Sequence, residues 1–460
     1  MSLLIVGLDN TIVNVALPSI GRELHAPISG LQWTVDAYTL VLASLLMLSG
    51  STGDRVGRKR TFETGLVLFG TGSLLCSLAP NLALLITFRA MQAVGGSMLN
   101  PVAMSIITNA FTDPRERAQA IGVWGAAIGV SMGLGPVVGG LLVTSVGWRA
   151  VFWINVPIAL SACLLTARFI PESRARRPRR FDPVGQLLVI GLLAGLTFAI
   201  IEGPSWGWGA PAIVAGYALA AGCLLALLRY EAQRPEPLLD FRFFKSLPFS
   251  GATVIAVAAF ATLGGFLFLN TLYLQDVRGL SALRAGLDTL PMAAMTVVLA
   301  PISGRIVGRR GARVPVLLAG IGIATCGAML TRLTASTPFS WLFIAYVAFG
   351  MGFGLVNAPI TNTAVSGMPR AQAGVAAGVA STSRQVGQSL GVAVLGALAT
   401  VGARSSLGRD FAVASHAGWW IIVGCGASIF ALGLATTTSR ARATAARAAT
   451  LFGPDEPGGR

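Results

Sequence analysis

Two charged residues stand where a chain this apolar should have none. Asp9 falls in "LDNTIVNVALP", residues 8–18, and Arg89 opens "RAMQAVGG", residues 89–96, each inside a hydrophobic run. A carboxyl at membrane depth can take up and release a proton as its surroundings change from dry to wet, or from unpaired to paired. A guanidinium there costs at least about 2.5–3.5 kcal/mol to insert, so it must face a cavity or a partner. Together they point to proton-coupled chemistry inside an apolar medium. Packing roles compete with that reading: an Asp9 hydrogen-bonded to Asn10 or Asn14, and an Arg89 bound to backbone carbonyls. Asp36, Glu202 and Asp288 lie nearer the ends of apolar runs and Arg384 lies inside a later one, so they rank after Asp9 and Arg89.

The elements that position these residues must be membrane spans. The 460 residues are 54% hydrophobic and 11% charged, with mean hydropathy +0.72, against about 45–50% and about 25% in soluble domains. Apolar runs of about 20 residues recur almost end to end, each able to cross a hydrocarbon core of about 30 Å. Bounded by charge, Pro or Gly clusters, they number fourteen between residues 2 and 437. The expected layout is all-α and polytopic: a six-helix bundle over 1–170, two inserted helices with their charged linkers over 171–245, a second six-helix bundle over 246–437, and a disordered tail over 438–460.

The net charge of +16 does not signal nucleic acid, because the basic residues sit in short loops rather than on a soluble face. Alternate loops and the tail hold 25 of the 34 Lys and Arg, and the opposite loops hold seven. That bias puts both termini in the cytoplasm, against an anionic leaflet. The five cysteines have no paired spacing and the two histidines are far apart, so neither a disulfide framework nor a metal site is implied. No phosphate-binding Gly-rich motif occurs, which leaves an ion gradient as the energy source and no cofactor.

The chain repeats itself. "GDRVGRKR" at 53–60 lines up with "GRIVGRRG" at 304–311, pairing Gly53 with Gly304, Gly57 with Gly308 and Arg58 with Arg309. "GPVVGG" at 135–140 lines up with "GQSLGV" at 387–392, and "GGSMLNP" at 95–101 resembles "GFGLVNAP" at 352–359. The displacement is always eight spans, an even number, so the halves are parallel repeats about an axis along the membrane normal. Arg89 maps onto Tyr346, so the repeat itself does not require a cation there.

In this order the motifs "LDNTIVNVALP", "GSTGDRVGRKR", "RAMQAVGG", "GLGPVVGG", "GWRAVFWINVP", "EGPSWGWG" and "TSRQVGQSLG" resemble the major facilitator superfamily, and within it the fourteen-span drug:proton antiporter branch. The resemblance covers nearly the whole chain. It implies two six-helix bundles related by pseudo-twofold symmetry, with two added central helices. It further implies export of amphipathic, cationic or aromatic compounds across a bacterial inner membrane, in exchange for protons, by a monomer. A facilitated or proton-coupled importer of a metabolite would share these features. A membrane sensor or enzyme would need a catalytic cluster.

On this reading Asp9, Arg89, Asp36 and Glu202 are proton-coupling candidates, and Gly50, Gly53, Asp54, Arg55, Gly57 and Arg58 form a gating turn held at the cytoplasmic face. Gly304, Gly308 and Arg309 are its second copy, with Arg305 where the first has Asp54. Gly133, Gly135, Pro136, Gly139 and Gly140, with Gly125 and Gly129, permit close packing, expected against the equivalent span carrying Gly374, Gly378, Gly387 and Gly391. Asn14, Gln92, Met98, Met132, Phe266, Phe268 and Arg384 are candidates for the wall of an adaptable cavity. Only eight residues precede Asp9, fewer than related chains carry there, so Met1 is expected to be a late-assigned start.

Overall fold

The computed structural model describes residues 2–111, 113–175, 181–234, 237, 240–366, 370–402 and 409–452. Every regular element among them is helical. This is the structure expected of a chain whose backbone groups must be satisfied without water. The first group of helices comprises α1 (Ser2–Leu24), α2 (Ile28–Val56), α3 (Arg58–Ser77), α4 (Leu82–Ala110), α5 (Pro114–Ser145), α6 (Ala150–Trp153) and α7 (Asn155–Phe169). A pair follows, α8 (Pro183–Trp206) and α9 (Pro211–Glu231). The second group is α10 (Leu247–Leu272), α11 (Ala282–Asp288), α12 (Leu290–Arg310), α13 (Arg313–Leu330), α14 (Phe339–Val365), α15 (Arg370–Gly402), α16 (Arg409–Ala414) and α17 (His416–Thr436), with α18 (Ser439–Thr450) in the tail.

Among the described residues, eleven helices are long and apolar enough to cross a membrane, where fourteen were expected. Part of the shortfall has a physical cause. Helix α3 has 20 residues but opens on Arg58, Lys59, Arg60 and Glu63. In α5, a helix of 32 residues, only Val130–Ser145 falls within the residues that this count covers, and α15 is rich in Gly, Ser, Thr and Gln. Two of the eleven are interrupted without being lost from the count: α6 and α7 break at Ile154, and α11 and α12 break at Thr289 before Pro291.

The two groups pack through matching pairs. Helix α1 lies on α5 as α10 lies on α15, α2 on α4 as α12 on α14, α3 on α4 as α13 on α14, and α3 on α7 as α13 on α17. Between the groups, α2 meets α15 and α5 meets α11 and α12. These two seams exchange under the same correspondence, as a twofold axis requires.

The glycines expected to join α5 to α15 do something else. Gly135 and Gly139 press on Thr11 and Ile12 of α1, with a Cβ at Gly139 falling 2.6 Å from Ile12 Cγ1. Gly140 abuts Ala282 and Leu283 of α11, the Pro136 carbonyl abuts Gly286, and a Cβ at Gly133 would lie 4.0 Å from Ala293 Cβ of α12. On α15, Gly387 and Gly391 press on Val257 and Ala261 of α10. Each small-residue stripe therefore serves its own half first, the α5 stripe also meets α11 and α12, and the axis keeps α5 and α15 on different seams. Gly378 has nothing within 4 Å, and Gly125, Gly129 and Gly374 lie outside the residues whose surroundings are described.

The tail also departs from expectation, since 439–450 is helix. Thr438 Oγ1 caps it by accepting from Ala441 N at 3.1 Å. Ala441, Ala445 and Ala448 form a buried stripe spaced one turn apart. Phe452 stacks on Phe243 at 4.9 Å, and Arg242 Nη1 donates to the Leu451 carbonyl at 3.0 Å. Alanine's high helix propensity and this docking outweigh the polar composition that suggested disorder.

Candidate functional site

Asp9 and Arg89 meet. Asp9 lies two turns into α1 and Arg89 two turns into α4, whose start is set by Asn81 Oδ1 accepting from Leu84 N at 2.9 Å. Arg89 Nη1 donates to Asp9 Oδ2 at 2.6 Å, and the two side chains are 1% and 0% exposed. The other carboxylate oxygen, Oδ1, accepts from Gln92 Nε2 at 2.9 Å and from Asn155 Nδ2 at 2.8 Å. Arg89 further donates to Gln92 Oε1 at 2.7 Å and, through Nε, to the Thr34 carbonyl at 3.1 Å. Its guanidinium lies 4.3 Å from the Tyr38 ring centre and 5.8 Å from that of Phe152.

The knot draws on α1, α2, α3, α4 and the α6–α7 break. Asn155 opens α7 and also donates to Ser73 Oγ at 3.1 Å, and Ser73 donates to the Phe152 carbonyl at 2.9 Å. Asn155, Ser73, Thr34 and Tyr38 did not stand out among the sequence candidates. The available signal was the asparagine inside "GWRAVFWINVP", a polar residue in an apolar run. Part of the packing expectation for Arg89 holds, since a backbone carbonyl is among its acceptors. The Asp9 packing expectation does not, because Asn14 Nδ2 donates to the Asn10 carbonyl at 2.7 Å instead.

The second half holds a neutral version. Tyr346, where the repeat places the Arg89 equivalent, donates its hydroxyl to Asn270 Oδ1 at 2.5 Å across α10 and α14. The ion pair is thus confined to one half of a nearly symmetric frame.

The remaining candidates scatter. Asp36 is 0% exposed, accepts from Thr39 Oγ1 at 3.1 Å and lies one turn from Gln32 on the α15-facing side of α2. Glu202, near the end of α8, accepts from Trp33 Nε1 at 2.8 Å and so ties the inserted pair to α2. Phe266 and Phe268 are not cavity residues: both are fully buried, with Phe266 stacked 4.4 Å from Phe349 and edge-on to Trp419. Met132 is buried in the core against α1, and Met98 packs against Gly65 of α3. Asn10, Asn14 and Asn100 each hold a buried Oδ1 with no hydrogen-bond partner among the described residues. Arg384 sits between α10 and α14, with Nη2 donating to Thr361 Oγ1 at 2.5 Å.

The segment at 50–60 is not a glycine turn. Helix α2 runs through Gly50, Gly53, Asp54 and Arg55 to Val56, with Gly50 and Gly53 lying against Pro101 and Val102 of α4. Gly57 alone makes the turn, at φ 129°, a backbone region that side chains rarely adopt. Helix α3 then starts against a carboxylate from another element: Glu172 accepts from Lys59 N at 3.1 Å, Arg60 N at 3.2 Å and Ser173 N at 2.9 Å. Negative charge at a helix start is favourable. Asp54 Oδ1 accepts from Arg58 Nε and Nη2 at 3.1 and 2.9 Å, and the Asp54 carbonyl accepts from Ala175 N at 3.1 Å. In the second copy, α12 continues through Gly304, Gly308 and Arg309 and turns at Gly311, φ 83°. The copies share a sequence but not a turn.

All bonds joining the two halves among the described residues lie at the end opposite Gly57. Gln32 Nε2 donates to the Val392 and Ala393 carbonyls at 3.1 and 2.8 Å, and Gln275 Nε2 donates to the Val15 carbonyl at 2.9 Å. Leu283 N donates to Thr144 Oγ1 at 3.2 Å, and Arg22 pairs with Asp276 at 3.6 Å. Among the described residues, Asp54 and Arg58 bond to each other, to their own helices and to the linker residues Ala175 and Ser173, and not to the second half.

Residues 1–392 match the model of the Major Facilitator Superfamily. The chain is 36% identical over 399 residues to the multidrug resistance protein Stp of Mycobacterium tuberculosis, covering 86% of this chain and 74% of that one. It is equally similar, 36% over 400 residues with the same coverage, to the tetracenomycin C resistance and export protein of Streptomyces glaucescens. The methylenomycin A resistance protein of Streptomyces coelicolor is 35% identical over 393 residues, with 85% and 82% of the chains covered. Among solved structures, a D-xylose-proton symporter superposes with TM-score 0.67 over 95% of both chains at 14% identity, a likeness of fold.

Proposed function

The chain belongs to the major facilitator superfamily, as a multi-pass membrane transporter and not an enzyme, and from that premise we propose that it exports amphipathic drugs or antibiotics in exchange for protons. The similar proteins are named as multidrug or antibiotic resistance and export proteins, which supports outward movement of small organic molecules. Fourteen spans complete the reading, with α3, α5 and α15 crossing the bilayer as well. Both termini then lie in the cytoplasm of a bacterial inner membrane, and the closed end faces outward. The molecule stands in the inward-facing state, with the Asp54–Arg58 region released from the other half.

The observation that carries proton coupling is the buried Asp9–Arg89 pair, present in one half only. Breaking a buried pair by neutralising one partner is costly, because the other charge is left unpaired. Protonation of Asp9 therefore forces Arg89, Gln92 and Asn155 to rearrange, and this rearrangement is the link between proton binding and the α1–α4 packing. Transport of a fluorescent amphipathic dye into inside-out vesicles tests the reading. Uptake should collapse with the proton gradient and be lost in Asp9→Asn. Transport that survives a protonophore would remove the coupling.

A further inference from the structure

Two guanidiniums lie deep in this protein, and the chain treats them oppositely. Arg89 is sealed against Asp9. Arg384 lies about 21 Å along α15 from Arg370 at 1.5 Å per residue, well inside the membrane. Its side chain is turned inward: Nη2 donates to Thr361 of α14 and the guanidinium is 5.8 Å from the Phe260 ring of α10. No carboxylate among the described residues pairs with it, and its Nε is buried with no hydrogen-bond partner. Thr382 Oγ1 and Gln385 Oε1, on either side, are likewise buried without one. An ionisable group at this depth marks a functional site, and a guanidinium with donors to spare matches the planar, two-oxygen geometry of a carboxylate. Of the acids deep in the described residues, Asp9 is taken by Arg89 and Asp36 accepts from Thr39.

We infer that Arg384 is the charge-reading residue of the substrate cavity, and that the transported compounds preferred here are aromatic molecules carrying a carboxylate or other anionic group rather than cations. Phe260 and the neighbouring Phe353, whose rings are 5.2 Å apart, supply the aromatic surface. Thr361 positions the guanidinium, and Gln385 lies one helical position from it. This sharpens the exporter reading and rests on it for a substrate route passing Arg384.

The test compares two dyes with one xanthene ring: fluorescein, an anion, and rhodamine 123, a cation. Equilibrium binding is measured by fluorescence polarisation on the full chain in nanodiscs. The wild type should bind fluorescein at least fivefold more tightly than rhodamine 123. Arg384→Gln should lower that ratio at least fivefold, and Arg384→Lys should keep most of it. Because Arg384→Gln could fail to fold, the wild-type ratio is decisive alone. Equal or tighter rhodamine binding by the wild type overturns the inference, as does an unchanged ratio in a folded Arg384→Gln. Vesicle efflux is scored separately: efflux without the anion preference leaves the exporter reading standing, and the preference without efflux leaves the Arg384 site standing.

Discussion

Arg89 and Asp9 share one 2.6 Å contact between Nη1 and Oδ2, while Asp9 Oδ1 is held by two neutral amides. Charge and geometry are therefore carried by different oxygens. Asp9→Asn leaves Arg89 buried without a counter-charge, and Arg89→Gln does the reverse, so each should cost about 3–5 kcal/mol of stability. The double variant should cost less than their sum by about 1–3 kcal/mol. Unfolding of the purified protein in detergent measures all three. Strict additivity would mean that the pair does not act as a unit.

The single glycine turn and its failed copy make a matched experiment. Gly57 sits at φ 129°, and a Cβ there would fall 2.6 Å from the Glu172 carboxyl carbon. Gly57→Ala should thus destabilise by about 1–3 kcal/mol through backbone strain alone, with further loss from displacing the Glu172 cap. Gly308 occupies the same motif position, yet it is helical and has nothing within 4 Å. Gly308→Ala should stabilise by about 0.5–1 kcal/mol. Thermal unfolding of the two variants side by side is the measurement, and equal shifts would refute the assignment of the turn.

The sequence exposed Asp9, Arg89 and Gln92 because charge and amide at membrane depth have few bland explanations. Asn155 was harder, since a neutral amide inside a recognisable motif carries no energetic alarm until the fold brings it to Asp9. Phe266 and Phe268 were misplaced because the residues that line an apolar cavity are the ones that fill an apolar core. The repeat revealed that the halves are parallel, but not which helices meet: the axis sets α2 against α15 and α5 against α11–α12, and periodicity within one chain does not encode that pairing. Bulk hydrophobicity alone does not mark α3, which opens on four charged residues, or α15, where glycine and polar packing replace it.

Asp54 has no acidic equivalent in the second half, where Arg305 stands. Its side chain holds Arg58, 14% exposed, while the turn itself is held by Gly57 and Glu172. Asp54→Asn should for that reason leave membrane expression and unfolding temperature close to wild type and still slow dye export several-fold. Wild-type export rates in this variant would reduce the segment to a structural anchor.

The strongest consequence of the closed end concerns α2 and α15. A Cβ at Gly396 would fall 2.9 Å from Gln32 Cγ, so the two positions face each other across the seam within side-chain reach. In a background lacking the five native cysteines, Gln32→Cys with Gly396→Cys should cross-link readily under mild oxidation. If the halves rock about this seam, the oxidised protein is held closed here, and dye export should fall to background and return on reduction. Either single cysteine should export through both treatments, which separates the cross-link from the substitutions. Export that continues in the fully cross-linked protein would mean that the α2–α15 seam does not open during transport, and the path would then have to open elsewhere between the halves.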